Sequence, residues 1–105
     1  MKTSELTGNA LDRAVAECEG QPSWVMGFST EWEKGGPIIE REGISIVLDD
    51  DIDAYSWTAT CIKPPYVLAE QGSTPLIAAM RCYVSSKLGE EVETRTDTLK
   101  TRTAT

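Results

Sequence analysis

The sequence predicts an α+β fold: an antiparallel sheet of three to four strands packed by an N-terminal and a C-terminal helix, in the order α-β-β-β-α. Three observations carry that expectation. Apolar residues recur at helical spacing near both ends of the chain, they alternate with polar ones in the middle, and 105 residues is one domain's worth of length. The balance of 40% hydrophobic and 26% charged residues suits an ordinary globular protein. Residues 1–89 are read as a single domain. Residues 90–105 are polar and threonine-rich, with only Val92 and Leu99 as larger apolar side chains, and are read as a flexible tail.

The first helix is expected over residues 8–19. Ala10, Leu11, Ala14, Val15 and Cys18 make one apolar stripe, while Asp12, Arg13, Glu17 and Glu19 are expected to point into water. Thr7 is placed to cap it, because a hydroxyl accepts a bond from an orphan N–H of the first turn. Leu6 and Leu11 have the spacing of a hydrophobic staple, Gly20 stops the helix and Pro22 prevents its resumption. Residues 23–28 read as a short strand, with Trp24, Met26 and Phe28 sharing one face by alternation. Residues 29–43 read as a long irregular stretch, because Gly35-Gly36-Pro37 breaks regular structure, pinned by Trp32, Ile38 and Ile39.

A hairpin follows. Ile44, Ile46 and Leu48 on one strand and Tyr55, Trp57, Ala59 and Cys61 on the next alternate with mostly polar residues, the pattern of a sheet wet on one face. Pro64-Pro65 ends the second strand, and Tyr66 to Ala69 reads as a further strand at an edge. The last helix opens on Thr74 as cap and Pro75 at the first helical position, and stops at Gly89. Leu76, Ile77, Met80, Tyr83, Val84 and Leu88 line its apolar face, with Arg81, Ser85 and Lys87 off it.

Composition excludes several chemistries. With no His, imidazole metal sites, Ser-His-Asp and Cys-His catalysis and a histidine pH switch are absent. Cys18, Cys61 and Cys82 are odd in number, far apart and set among apolar or small neighbours, so they read as reduced core thiols rather than a disulfide or a metal set. The net charge of -7 argues against non-specific binding to nucleic acid or to an anionic membrane. Double-stranded RNA-binding domains share the α-β-β-β-α order, but they need basic loops that this chain lacks. No run approaches about 18 consecutive apolar residues, and Met1 to Glu5 leads into a mixed polar segment rather than an apolar signal core. The expected location is a cytoplasm.

Candidate chemistry is sparse. Asp49-Asp50-Asp51-Ile52-Asp53 suggests Ca2+, but a calcium loop starting at Asp49 needs Gly and Glu where Ala54 and Thr60 stand, so a solvated hairpin loop is the better account. Glu40 and Glu42 could do acid–base work only if a pocket brought them together, and Arg41 beside them suits a solvated surface. No phosphate-binding glycine loop and no G-x-S-x-G motif occurs. Trp57 and Tyr83 read as core. Trp32, among Glu31, Glu33 and Lys34, is expected to be partly exposed.

Three stretches carry a family resemblance: Met1 to Gly8 with Ala10-Leu11-Asp12; Ser29-Thr30-Glu31-Trp32 with Gly35 to Glu42; and Gly72 to Val84, the most specific. Together they resemble the NinX family of small proteins from lambdoid phages and prophages of enteric bacteria, over most of residues 1–92. The chain departs from that pattern at Arg13 and after Val92. The resemblance implies a phage accessory protein in the cytoplasm of the host bacterial cell, with no assigned catalytic residues.

The expected function is a non-enzymatic protein–protein interaction module acting on a host or phage protein. Glu31, Trp32, Glu33, Ile38, Ile39 and Glu40 are the expected contact residues. No catalytic residue, cofactor, metal, direct nucleic-acid contact or membrane contact is expected. Self-association is open, because the apolar edge after Pro65 could pair with a second copy. The alternative is an acidic mimic of nucleic acid that occupies a DNA- or RNA-binding protein.

Overall fold

In a computed structural model, residues 2–49 and 56–89 are described. A short 3-10 turn, Thr3–Glu5, leads into α1 (Gly8–Glu19), α2 (Trp32–Glu42), β1 (Ser45–Asp49), β2 (Ser56–Lys63), β3 (Tyr66–Gly72) and α3 (Pro75–Leu88). The strands form one antiparallel sheet in the order β1-β2-β3. The α+β class holds, but the element order is α-α-β-β-β-α.

The sheet follows the alternation in the sequence. Ile46 pairs with Ala59, Leu48 with Trp57 and Cys61 with Leu68. That register puts the apolar set on one face and Thr58, Thr60 and Gln71 on the other. On the polar face, the Asp49 carboxylate accepts bonds from the Ser56 and Thr58 hydroxyls and the Gln71 amide. Of the acidic run, residues 50–53 lie outside the described residues, as do Tyr55 and the expected tail at 90–105. Pro64 and Pro65, joined by a cis bond, make the turn from β2 into β3.

Helix α3 is the hub. It packs on all three strands, and α1 and α2 pack on α3. The layers are therefore sheet, α3, then α1 with α2, rather than two helices side by side on the sheet. A helix in the middle layer must be apolar nearly all round. Accordingly Ala78, Ala79, Cys82 and Ser85 are buried along with Leu76, Met80, Tyr83 and Val84. Ser85, expected off the apolar face, is thus buried. Thr74 caps the helix, its hydroxyl accepting from the Ile77 N–H at 3.1 Å, with Pro75 at the first position.

Helix α1 has its expected bounds and ends on Gly20 in the left-handed region. Leu6 and Leu11 are both fully buried, each contributing about 1.5–3 kcal/mol. Thr7 occupies the cap position, but its side chain makes no capping bond. Asp12, expected in water, is 5% exposed. It stands next to the apolar stripe and faces backbone that supplies donors.

Two expectations for residues 23–43 are corrected. Residues 23–28 form no strand. Trp24 is 76% exposed and Phe28 is buried, so the alternation does not describe one face. Residues 32–42 are helix rather than irregular chain, although Gly36 and Pro37 disfavour a helix interior by about 1 and 3 kcal/mol. Packing overrides that propensity: Gly35, Ile38, Ile39 and Glu42 recur at helical spacing and turn inward. Gly35 is required there, because a Cβ would come within 2.6 Å of the Leu76 side chain and of the Phe28 carbonyl.

Candidate interaction surface

Helix α2 is fixed at both ends by polar groups. At its start, the Asp12 carboxylate accepts from the Gly27 N–H at 3.1 Å and the Ser29 N–H at 2.9 Å. The Gly27 carbonyl in turn accepts from the N–H groups of Thr30 and Glu31. Lys34 Nζ donates to the Met26 carbonyl at 2.6 Å, closing the loop onto the first turn.

At its end, Arg41 donates twice to Glu19, at 3.2 and 2.6 Å, a two-pronged pairing suited to the guanidinium fork. The Tyr83 hydroxyl donates to the same Glu19 carboxylate, and the Arg41 guanidinium lies 5.7 Å from the Tyr83 ring centroid. Glu42 accepts from Arg41 at 2.9 Å and from Lys63 at 2.8 Å. Bonding to Arg41 holds the Glu19 carboxyl below the ordinary carboxylate range. Bonding to Lys63 does the same for Glu42. Burial, then the bond to Glu19, pushes the Tyr83 phenol up. This network joins α1, α2, β2 and α3 and keeps its carboxylates charged. The Glu40–Glu42 pair does not form: Glu42 is bound up in the network, while Glu40 points into solvent.

The expected contact residues divide. Trp32 is 55% exposed at the first position of α2, and Glu31, Glu33 and Glu40 are exposed. Ile38 is 2% exposed and belongs to the core, so it faces no partner, and Ile39 is half-buried against the same core. Trp32, Ser29 and Thr30 form one wall of a cleft of about 310 Å³. Thr74, Pro75, Leu76 and Ile77 at the start of α3 form the other. Reading the sequence missed this second wall, treating those residues only as a helix start. The signal was present: residues 29–32 and 72–77 belong to the two family-like stretches, and both open helices. The reading also missed the exposure of Trp24, which the turn at Pro22 carries outward.

The thiols are free. Cys61 and Cys82 are buried and Cys18 half-buried, and burial pushes Cys82 up to about 12. Among the described residues, no group of three or more Cys, Asp or Glu side chains is arranged to hold a metal ion. No described helix is long and apolar enough to cross a membrane.

Taken together, these features define a small α+β domain in which α2 is held at both ends by polar groups and presents an exposed Trp32 at its start. The chain belongs to the NinX family of phage proteins: the family model described as "Bacteriophage P22, NinX" matches residues 23–87. That span runs from the loop after α1 through nearly all of α3, and leaves out the first of the three family-like stretches. No curated protein matches the chain.

Proposed function

We propose that this phage protein is a non-enzymatic interaction module that binds a host or phage protein in the bacterial cytoplasm. The observation that carries the reading is Trp32, exposed at the mouth of a cleft whose two walls sit on anchored helix starts. Tryptophan in a pocketed, partly desolvated position is the residue type that most often dominates binding energy between proteins. Glu31 and Glu33 beside it give the rim a negative field. No cofactor, catalytic group, nucleic acid or membrane enters this reading.

The test is an affinity pulldown of the tagged protein from infected host lysate, followed by titration of the purified partner. Trp32→Ala is expected to weaken that binding at least tenfold, about 1.4 kcal/mol or more, with little change in Tm. A partner that binds wild type and Trp32→Ala equally sinks the reading. A second reading rests on Ile62, Tyr66 and Val67, all exposed at the β2–β3 end of the sheet, where β3 is an edge strand. They favour pairing with a second copy, and light scattering across a dilution series decides it.

A further inference from the structure

The solvent-facing stripe of α2 contains a residue that the fold does not account for. Seven of the eight glycines have a structural reason: five adopt positive φ, and a Cβ at Gly35 or Gly72 would come within 2.6 or 2.5 Å of neighbouring atoms. Gly36 has neither reason, since nothing lies within 4 Å of where its Cβ would stand. It nevertheless sits in mid-helix beside Pro37, and both residue types weaken a helix interior.

At 3.6 residues per turn, Glu33, Gly36, Pro37 and Glu40 fall along one stripe opposite the buried Gly35 and Ile38. Glu33 and Glu40 are seven residues apart, about 10.5 Å along the axis. Both are exposed. The two cations of α2 are engaged elsewhere, Lys34 with the Met26 carbonyl and Arg41 with Glu19 and Glu42. The result is a stretch of helix surface that carries only Gly36 and the Pro37 ring between two carboxylates, with Trp32 at its N-terminal end.

We infer that this stripe receives a cationic α-helix from the partner protein. Two Lys or Arg residues seven apart on that helix meet Glu33 and Glu40, a small residue passes over Gly36, and an apolar side chain enters the Trp32 cleft. Two turns of a partner helix span the same distance as the two carboxylates. A glycine at the crossing lets two helix axes approach at the close end of the usual 8–10 Å range. The inference deepens the interaction reading above and rests on it.

The experiment selects a displayed library of helix-stabilised peptides on the full-length chain and on three variants: Trp32→Ala, Glu33→Gln/Glu40→Gln and Gly36→Ala. Wild type is expected to enrich peptides with two cations at a spacing of seven. The double Gln variant is expected to bind them about tenfold more weakly. Gly36→Ala is expected to raise Tm by about 4 °C, as a better helix former, while also weakening peptide binding. That opposition separates a binding role from a structural one. If wild type enriches no such spacing, or Gly36→Ala and the double Gln variant bind as wild type does, the inference is overturned. If Trp32→Ala alone abolishes binding, the interaction reading stands and the cationic helix falls. If the enriched peptides are indifferent to all three variants, both fall.

Discussion

At the scale of single residues, Asp12 ties the loop before α2 to α1. Its carboxylate is the acceptor for two buried backbone donors from the loop that leads into α2. Removing it leaves both orphaned, and each orphan costs about 1–3 kcal/mol. Asp12→Ala is expected to lower the unfolding free energy by about 2–4 kcal/mol in urea titrations. Asp12→Asn, which keeps one acceptor, is expected to lose less. Helical spacing alone sends Asp12 into solvent, because spacing reports a residue's angle on its own helix and nothing about a loop that folds back over it. The adjacent glycines make a second residue-scale contrast. Gly35→Ala forces a Cβ against Leu76 and the Phe28 carbonyl and is expected to cost about 1–3 kcal/mol. Gly36→Ala meets open space and is expected to stabilise. Thermal melts of the two variants should move in opposite directions.

At the scale of elements, the ends of α1 and α2 are joined by carboxylates that the folded state keeps charged. Glu19 and Glu42 are both held below their ordinary value of 4.5 by Arg41 and Lys63. Their contribution to stability is complete above that value and is lost as pH falls through the lower folded-state values. The melting temperature is therefore expected to fall on acidification below about pH 4.5, with Arg41→Ala flattening that acid limb by releasing Glu19. The pairs are partly exposed, so the effect is modest and shrinks in salt.

Elements also differ in how legible they were. Strands β1 and β2 and both flanking helices follow from alternation, caps and stops, because those signals are local. Helix α2 does not. Its inward residues Gly35, Ile38, Ile39 and Glu42 keep helical period, but one is a glycine chosen for close approach and one is a carboxylate aimed at Lys63. A hydrophobicity pattern weights neither, and Gly36-Pro37 counts against a helix. The candidate site was legible to the same degree. The exposure of Trp32 follows from the charged residues on either side of it, whereas the α3 wall of the cleft depends on a tertiary contact that no local pattern encodes.

At the scale of the whole molecule, the net charge of -7 is not spread evenly over chemistry. Some carboxylates are consumed internally, as at Asp12, Glu19, Glu42 and Asp49. Glu31, Glu33 and Glu40 remain exposed on and beside α2. The proposed partner binding is expected to weaken moderately as ionic strength rises, since the part carried by apolar burial of Trp32 would not be screened by salt. An acidic mimic of nucleic acid would show a much steeper dependence, so titrations at two salt concentrations distinguish the two readings.

The central position of α3 has a bearing on how the protein comes into being. It is the last of the described elements to leave a ribosome, yet α1, α2 and the sheet all rest on it. Until residue 88 is clear of the exit tunnel, the apolar stripe of α1 and the inner face of the hairpin have nothing to close against. The nascent chain is therefore expected to gain its native core in one late step rather than piecewise from the N-terminus, and to be most open to proteases and chaperones just before that step.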